Sequence, residues 1–449
     1  MSPTTKELRA LARLALPAIA TQVGSMAMGV VDTIMVGHYG VEALAGVALG
    51  NSIVSVSFLF GLGVVLGMDP IVSQAHGAGD GEKCGRALQW GALAGIMISV
   101  PMALVWASTG TLLGLFGQDL ALAEIAQDYV LIQIPSLPFF YAFAAQRSFL
   151  QGRGIVRPAM WVMLAANLVN AAVNWLFIWG NLGMPELGST GAGLASCAVR
   201  IFLVLGLTAW ILAGKLHAGA WVPWDRISFQ WRAGISRIFH FGLPIAIQMV
   251  LEVGAFAGST LLAGRFGATA VNAHSIALNL ASFSFMMPLG ISIAATTRVG
   301  NLIGAGDRLG AQRSAWVTLA CGAGVMALSA TAFILLRHLL PAVYSTDPAV
   351  IALCATVLPI AAAFQIFDGL QIAATGVLRG MGRTRAVTWF NFLAYWVLAL
   401  PLAWYLTHHT ELGIRGIWWS LCFGLAIVAS LLVFWIARRG PAKGGAVSA

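Results

Sequence analysis

Apolar segments long enough to cross a bilayer recur from one end of this chain to the other. A helical span needs ~20 consecutive apolar residues, because the hydrocarbon core is ~30 Å thick and a helix rises ~1.5 Å per residue. Segments of that length fall at 9–36, 43–68, 87–109, 127–148, 157–180, 189–214, 235–262, 270–297, 313–335, 350–376, 386–408 and 414–437. The runs are continuous rather than alternating, so they predict helices and not barrel strands. Charged residues make up 9% of the chain and hydrophobic residues 59%, against ~25% and ~45–50% in soluble domains. The expected class is an all-α membrane protein with twelve transmembrane helices.

The net charge of +9 would suit a nucleic-acid partner if the basic residues were clustered on one surface. They are not. Of the 25 Lys and Arg, the odd-numbered loops hold only Arg265, Arg337 and Arg415, and Arg200 lies within a span. All others, Arg147 and Arg379 among them, are assigned to the termini and the even-numbered loops. This positive-inside bias orients both termini toward the cytoplasm and argues against nucleic acid. The five cysteines (Cys84, Cys197, Cys321, Cys354, Cys422) have no paired spacing, so neither a disulfide framework nor a metal motif is expected. The first apolar run lacks a small-residue cleavage site and is expected to be retained.

The chain is a duplication. At a shift of 227 residues, Pro17 falls on Pro244, Gly37 on Gly264, Gly63 on Gly290, Arg86 on Arg313, and Gly77-Ala78-Gly79-Asp80 on Gly304-Ala305-Gly306-Asp307. The match resumes at a shift of 228, with Gly152, Gly154 and Trp161 on Gly380, Gly382 and Trp389. Each repeat carries six spans, an even number, so the two bundles are parallel repeats related by an axis along the membrane normal. The expected division is a first lobe at 1–214, a Trp-rich basic connector at 215–237 on the cytoplasmic face, a second lobe at 238–439 and a disordered tail at 440–449.

Three carboxylates, Asp32, Glu252 and Asp368, lie deep inside apolar runs. A charge at mid-bilayer costs at least ~3 kcal/mol on insertion scales, so acids there mark an ion or proton pathway. Asn167, Asn170 and Asn174 share one face of the fifth span, although such asparagines more often bond a neighbouring helix than a ligand. Gln248 lies one turn before Glu252, and Gln365 and Gln371 flank Asp368. Oxygen-rich sets of this kind suit a hard cation. Met26, Met28 and Met249 are candidates for an adaptable lining, because thioethers fit varied apolar shapes; most membrane methionines simply pack. His38, His274, His408 and His409 fall near span ends and read as interfacial. Asp69, at the cytoplasmic end of the second span, corresponds to Thr296 in the other repeat and has no evident reason to be acidic.

Taken together, Asp32 with Gly37, Gln74-x-x-Gly77-Ala78, Asn170, Asn174, Glu252, Asp368, Pro17 and the duplicated Gly-Ala-Gly-Asp loops resemble the multidrug and toxic compound extrusion (MATE) family. The likeness is strongest to its bacterial NorM-type branch and covers all but the last ten residues. It implies two six-helix lobes forming a V around a central cavity, and export of amphipathic organic cations driven by Na⁺ or H⁺. It also places Asn170 and Asn174 beside Asp32 in an N-lobe site. Glu252 and Asp368 are implied to meet in a C-lobe cation site, a candidate for Na⁺, with Phe285 where some relatives place an aromatic facing the ion. No cofactor beyond the coupling ion is expected, and the implied setting is the bacterial inner membrane, with the protein acting as a monomer.

No P-loop, HExxH or Gly-x-Ser-x-Gly elbow is present, so neither ATP-driven transport nor enzymatic hydrolysis is expected. The alternative within transport is a flippase for lipids or lipid-linked precursors. Such proteins need basic cavity residues for phosphate, and Arg200 is the only mid-span base. The charge asymmetry gives a direct test. Reporters fused at either terminus should respond only from the cytoplasm, and a periplasmic signal at either end would break the twelve-span topology.

Overall fold

The computed structural model describes residues 2–220, 222 and 229–443. Part of the expected connector (221 and 223–228) and most of the expected tail (444–449) lie outside the described residues. No strand occurs among those described. The α-helices are α1 (Pro3–Tyr39), α2 (Val41–Val65), α3 (Asp69–Gly77), α4 (Gly81–Ala107), α5 (Thr109–Leu115), α6 (Leu120–Leu131), α7 (Leu137–Gly152), α8 (Arg157–Ile178) and α9 (Gly188–Ala213). They continue as α10 (Phe229–Gly264), α11 (Ala268–Gly304), α12 (Arg308–Leu335), α13 (Leu339–Ala342), α14 (Pro348–Gly380), α15 (Thr384–Asn391), α16 (Leu400–His409) and α17 (Ile414–Arg439).

Eleven continuous helical segments among the described residues are long and apolar enough to span a membrane. The segment expected at 127–148 is the exception: it is split into α6, a 3-10 turn at Ile134–Ser136 and α7. Pro135 and Pro138 explain the break, because each removes a backbone donor from the helical ladder. A second irregularity is the π-helical turn Phe392–Ala399 just before Pro401, whose missing N–H cannot close a regular α turn. Lipid-facing surfaces carry exposed large apolar residues such as Leu104, Leu205, Leu261 and Phe434.

The compact units are not the two halves of the sequence. One unit comprises Val23–Ala246; the other joins Met1–Gln22 to Ile247–Ala449. Both α1 and α10 therefore begin in one unit and end in the other. The close contacts show why, and they repeat. A Cβ built on Gly63 of α2 would lie 2.4 Å from Cα of Ala246 in α10, and one on Gly290 of α11 would lie 2.7 Å from N of Ile19 in α1. Ile19 and Ala246 are themselves equivalent at the 227-residue shift, so the same glycine-backed packing occurs once in each unit. In the second unit, Leu11 and Ala15 pack with Ile291, Ala294 and Val317. Glu7 there accepts two bonds from Arg298, from Nε at 2.7 Å and Nη2 at 2.9 Å. Such bidentate pairs combine strength with fixed geometry.

Other boundaries also differ from expectation. The connector expected over 215–237 is already helical at Phe229, and Trp231 is buried. Its start is tied down by Arg153, which donates to the carbonyls of Leu216 and Ala218, while Gln89 Nε2 donates to Val222 O at 2.7 Å. At the other end, Gly440–Lys443, expected to belong to the tail, form a turn in which Ala442 N donates to Gln312 Oε1 at 3.3 Å.

The duplicated Gly-Ala-Gly-Asp loops are helix-junction devices. Gly79 (φ 76°) and Gly306 (φ 80°) adopt left-handed backbone, which only glycine tolerates readily. The next residue then caps the following helix: Asp80 accepts from Lys83 N at 2.9 Å and Asp307 from Gly310 N at 2.8 Å. Asp80→Ala and Asp307→Ala should each cost about 1 kcal/mol. Thermal unfolding in detergent should show similar losses at both sites, and unchanged midpoints would refute the capping role.

Candidate functional site

Asp32 sits near the C-terminal end of α1, seven residues before Tyr39, in the Val23–Ala246 unit. Its Oδ1 accepts from Asn170 Nδ2 at 2.9 Å and from Asn174 Nδ2 at 2.6 Å. The spacing of four residues puts both asparagines on one face of α8, so one carboxylate oxygen receives two amides. Both asparagines are fully buried, and their carbonyl oxygens have no hydrogen-bonding partner. The site thus offers a carboxylate and two unsatisfied neutral oxygens, a donor set suited to a hard cation or a proton. Asn167 is not part of it: its amide turns back to Met163 O at 2.9 Å.

Around this core lies a second tier of which the sequence had singled out Arg200 alone. Tyr129 Oη donates to Asn51 Oδ1 at 3.0 Å and is within electrostatic reach of both Asp32 and Arg200. Arg200, on α9, donates from Nη1 to Ser136 Oγ at 2.8 Å and from Nη2 to Gln133 Oε1 at 3.0 Å. Its guanidinium also lies 5.4 Å from the ring centre of Phe58 and 5.5 Å from that of Trp106. The break between α6 and α7 supplies Gln133 and Ser136, which is the structural use of the interrupted fourth span. Polarity inside an otherwise apolar run was the available signal for this tier.

The other unit holds the remaining acids. Gln248 of α10 is buried and sits one turn before Glu252, within its electrostatic reach. Asp368 of α14 is buried, and Glu252 acts on it electrostatically, so the two acids share a neighbourhood. Gln365 is fully enclosed, and both its amide nitrogen and its amide oxygen lack partners. Gln371 instead donates to Asn391 Oδ1 at 3.2 Å. Tyr395, carried by the π-helical turn, interacts electrostatically with both acids, and its hydroxyl is buried without a partner. π turns recur at functional sites. Among the described residues no group of three or more His, Cys, Asp or Glu that could hold a metal ion occurs.

The lining candidates divide. Met28 packs against the core of the first unit. Met26, Met249 and Phe285 are part-exposed. Three further readings need correction. His274 is not interfacial: it is fully buried on α11, with Nε2 3.3 Å from Ser259 Oγ and 3.2 Å from Thr260 Oγ1, and its ring packs edge-on against Trp418. Arg379 is not a loop cation; it is buried in the last turn of α14 and acts electrostatically on Glu252. Arg147 likewise lies within α7 and is the electrostatic partner of the buried Asp69.

That last pair explains the acid at position 69. Asp69 corresponds to Thr296 at the 227-residue shift, and Arg147 to Thr375 at the shift of 228. Where the first repeat has an acid and a base in electrostatic interaction, the second has two threonines, with Thr296 Oγ1 donating to Gly376 O at 3.0 Å. Both members change together, as expected when an unpaired buried charge is costly.

These features define a polytopic helical membrane protein, built by duplication, with a separate intramembrane carboxylate site in each of its two units. The MatE family model matches residues 17–176 and 244–405, one stretch in each repeat. A probable multidrug resistance protein NorM from Bradyrhizobium diazoefficiens is 36% identical over 437 residues, covering 95% of this chain and 93% of that protein. The chain belongs to the MATE family, whose members are transporters and not enzymes. Solved structures agree on the fold. A eukaryotic MATE transporter, AtDTX14, superposes with a TM-score of 0.90 at 24% identity, covering 98% of each chain. An outward-facing multidrug resistance MATE transporter of the MOP superfamily gives 0.87 at 18% identity, covering 97% of this chain and 96% of its own.

The Asp69–Arg147 exchange yields a prediction. Asp69→Ala should destabilise the protein by about 3–5 kcal/mol, because it strands a buried cation. The double change Asp69→Thr with Arg147→Thr, which copies the second repeat, should recover most of that loss in a thermal-unfolding assay.

Proposed function

We propose that this protein is a secondary active multidrug efflux antiporter that exports amphipathic organic cations in exchange for Na⁺ or H⁺. The observation that carries this reading is the neighbourhood of the half-buried Glu252 and the buried Asp368, with Gln248 one turn from the first acid and the unsatisfied amide of Gln365 on the same helix as the second. Two carboxylates out of water repel one another strongly unless a cation or proton neutralises them. That makes the pair an ion-binding element, and the coupling ion is its substrate. Asp32, with Asn170 and Asn174, forms a second element of the same kind in the other unit.

Antiport follows from linkage. If coupling ion and organic cation each lower the other's affinity, binding of one promotes release of the other, and the coupling is reciprocal. The NorM relative is named for multidrug resistance, which supports an organic cation as cargo. Residence in the bacterial inner membrane, cytoplasmic termini and action as a monomer complete the proposal. The flippase alternative is not favoured, because among the described residues Arg200 is held by neutral groups rather than by a set of bases that could bind phosphate.

Proteoliposomes loaded with ethidium should show dye movement when a Na⁺ gradient or a pH gradient is imposed, and testing the gradients separately identifies the ion. Glu252→Gln and Asp368→Asn keep much of the hydrogen bonding but remove the exchangeable charge. Each should lower gradient-driven transport at least tenfold with near-normal expression; parental rates in both variants would refute the role of this site.

A further inference from the structure

Arg200 poses an energetic problem that the ion-coupling scheme leaves unsolved. It is a cation on a membrane helix, yet among the described residues it forms no contact ion pair. Its hydrogen bonds go to neutral oxygens, and its flat faces lie near Phe58 and Trp106, which stabilise a cation without cancelling its charge. The Gln133 amide is itself fixed, donating from Nε2 to Tyr129 O at 3.0 Å, and Trp106 Nε1 donates to Ser57 Oγ at 2.7 Å. The guanidinium is therefore held in place by a rigid neutral cradle.

The groups that face it narrow its role. Tyr129, Tyr141 and Cys197 lie within its electrostatic reach, and among the described residues Asp32 is the single carboxylate that does. From the other side, Asp32 faces Asn170, Asn174, Tyr129 and Arg200, of which Arg200 alone is a cation. Each is the other's one opposite charge, held apart rather than in contact.

We propose that Arg200 is the resident countercharge of the Asp32 site and a specificity-determining residue for cationic cargo. With Asp32 ionised, the site carries no net charge and accepts a cation weakly. Once Asp32 is neutralised by a proton or a bound coupling ion, the site is net positive and repels the organic cation. Without Arg200, neutralisation would remove an attraction only. With it, the same event creates a repulsion, which drives release. The inference rests on the cation-export reading and adds to it the residue that sets the sign of the field.

The test uses full-length protein in detergent and three dyes: singly charged ethidium, doubly charged propidium on the same ring system, and neutral Nile red. Arg200→Gln keeps hydrogen-bonding capacity toward Ser136 and Gln133 while removing charge. It should tighten ethidium binding on the order of tenfold, the scale of one unscreened charge in a low-dielectric site, with a larger gain for propidium and none for Nile red. Arg200→Lys should behave as the parent. The decisive comparison is rescue: Asp32→Asn should bind ethidium poorly, and adding Arg200→Gln should restore binding. Should Arg200→Gln fail to fold, Gln133→Glu cancels the charge from its neighbour and should tighten binding in the same order. Unchanged affinities in a folded Arg200→Gln or Gln133→Glu protein, or no rescue in the double variant, would overturn the proposal. A parent that binds neither charged dye would instead refute the export reading itself.

Discussion

A low-dielectric surround leaves a polar group few options, and that constraint organises this molecule. Backbone amides are satisfied within helices, which is why long helices dominate the described residues and why interruptions occur at prolines. Side-chain charge obeys the same rule less completely. Glu7 is matched to Arg298 by two hydrogen bonds, and Asp69 finds Arg147. Asp32 receives two amides, whereas Glu252 and Asp368 share one neighbourhood. The matched pairs hold helices in place. The acids whose neutralisation is incomplete are the ones to which the proposed exchange of a proton or cation is assigned.

Duplication supplied a frame, and the chemistry broke its symmetry. The packing devices repeat: Gly63 against Ala246 is the counterpart of Gly290 against Ile19, and the two left-handed glycines precede two capping aspartates. The charges do not repeat. At the 227-residue shift Asp32 falls on Ser259 and Glu252 on Ser25. Ser259 is one of the hydroxyls beside the buried His274, so the position that holds an acid in one unit faces a histidine in the other. Two units of one architecture thus carry different electrostatics. Different electrostatics are what a protein needs if ion and cargo are to be handled by distinguishable sites.

Broken helical geometry recurs where polar chemistry is placed. The split between α6 and α7 presents Gln133 and Ser136 to Arg200, and the π turn before Pro401 carries Tyr395 toward the acids of the other unit. In each case a proline removes a backbone donor, and the freed segment positions a polar side chain inside the bundle.

Much of this was legible in the amino-acid sequence because it depends on local properties. Length and apolarity of each run set the membrane class, and the in-register glycines, prolines and Gly-Ala-Gly-Asp loops revealed the duplication. Asp32, Asn170, Asn174, Glu252 and Asp368 stood out because polar residues within apolar runs are costly wherever they sit. What the sequence could not determine was pairing between residues far apart along the chain. The partners of Arg200, the burial of His274, the conversion of Arg147 and Arg379 from presumed loop cations to enclosed ones, and the allotment of residues 1–22 to the unit of the second repeat all depend on which helix faces meet. A charge costs the same in any apolar run, but whether it has a partner depends on contacts that only the tertiary structure brings together.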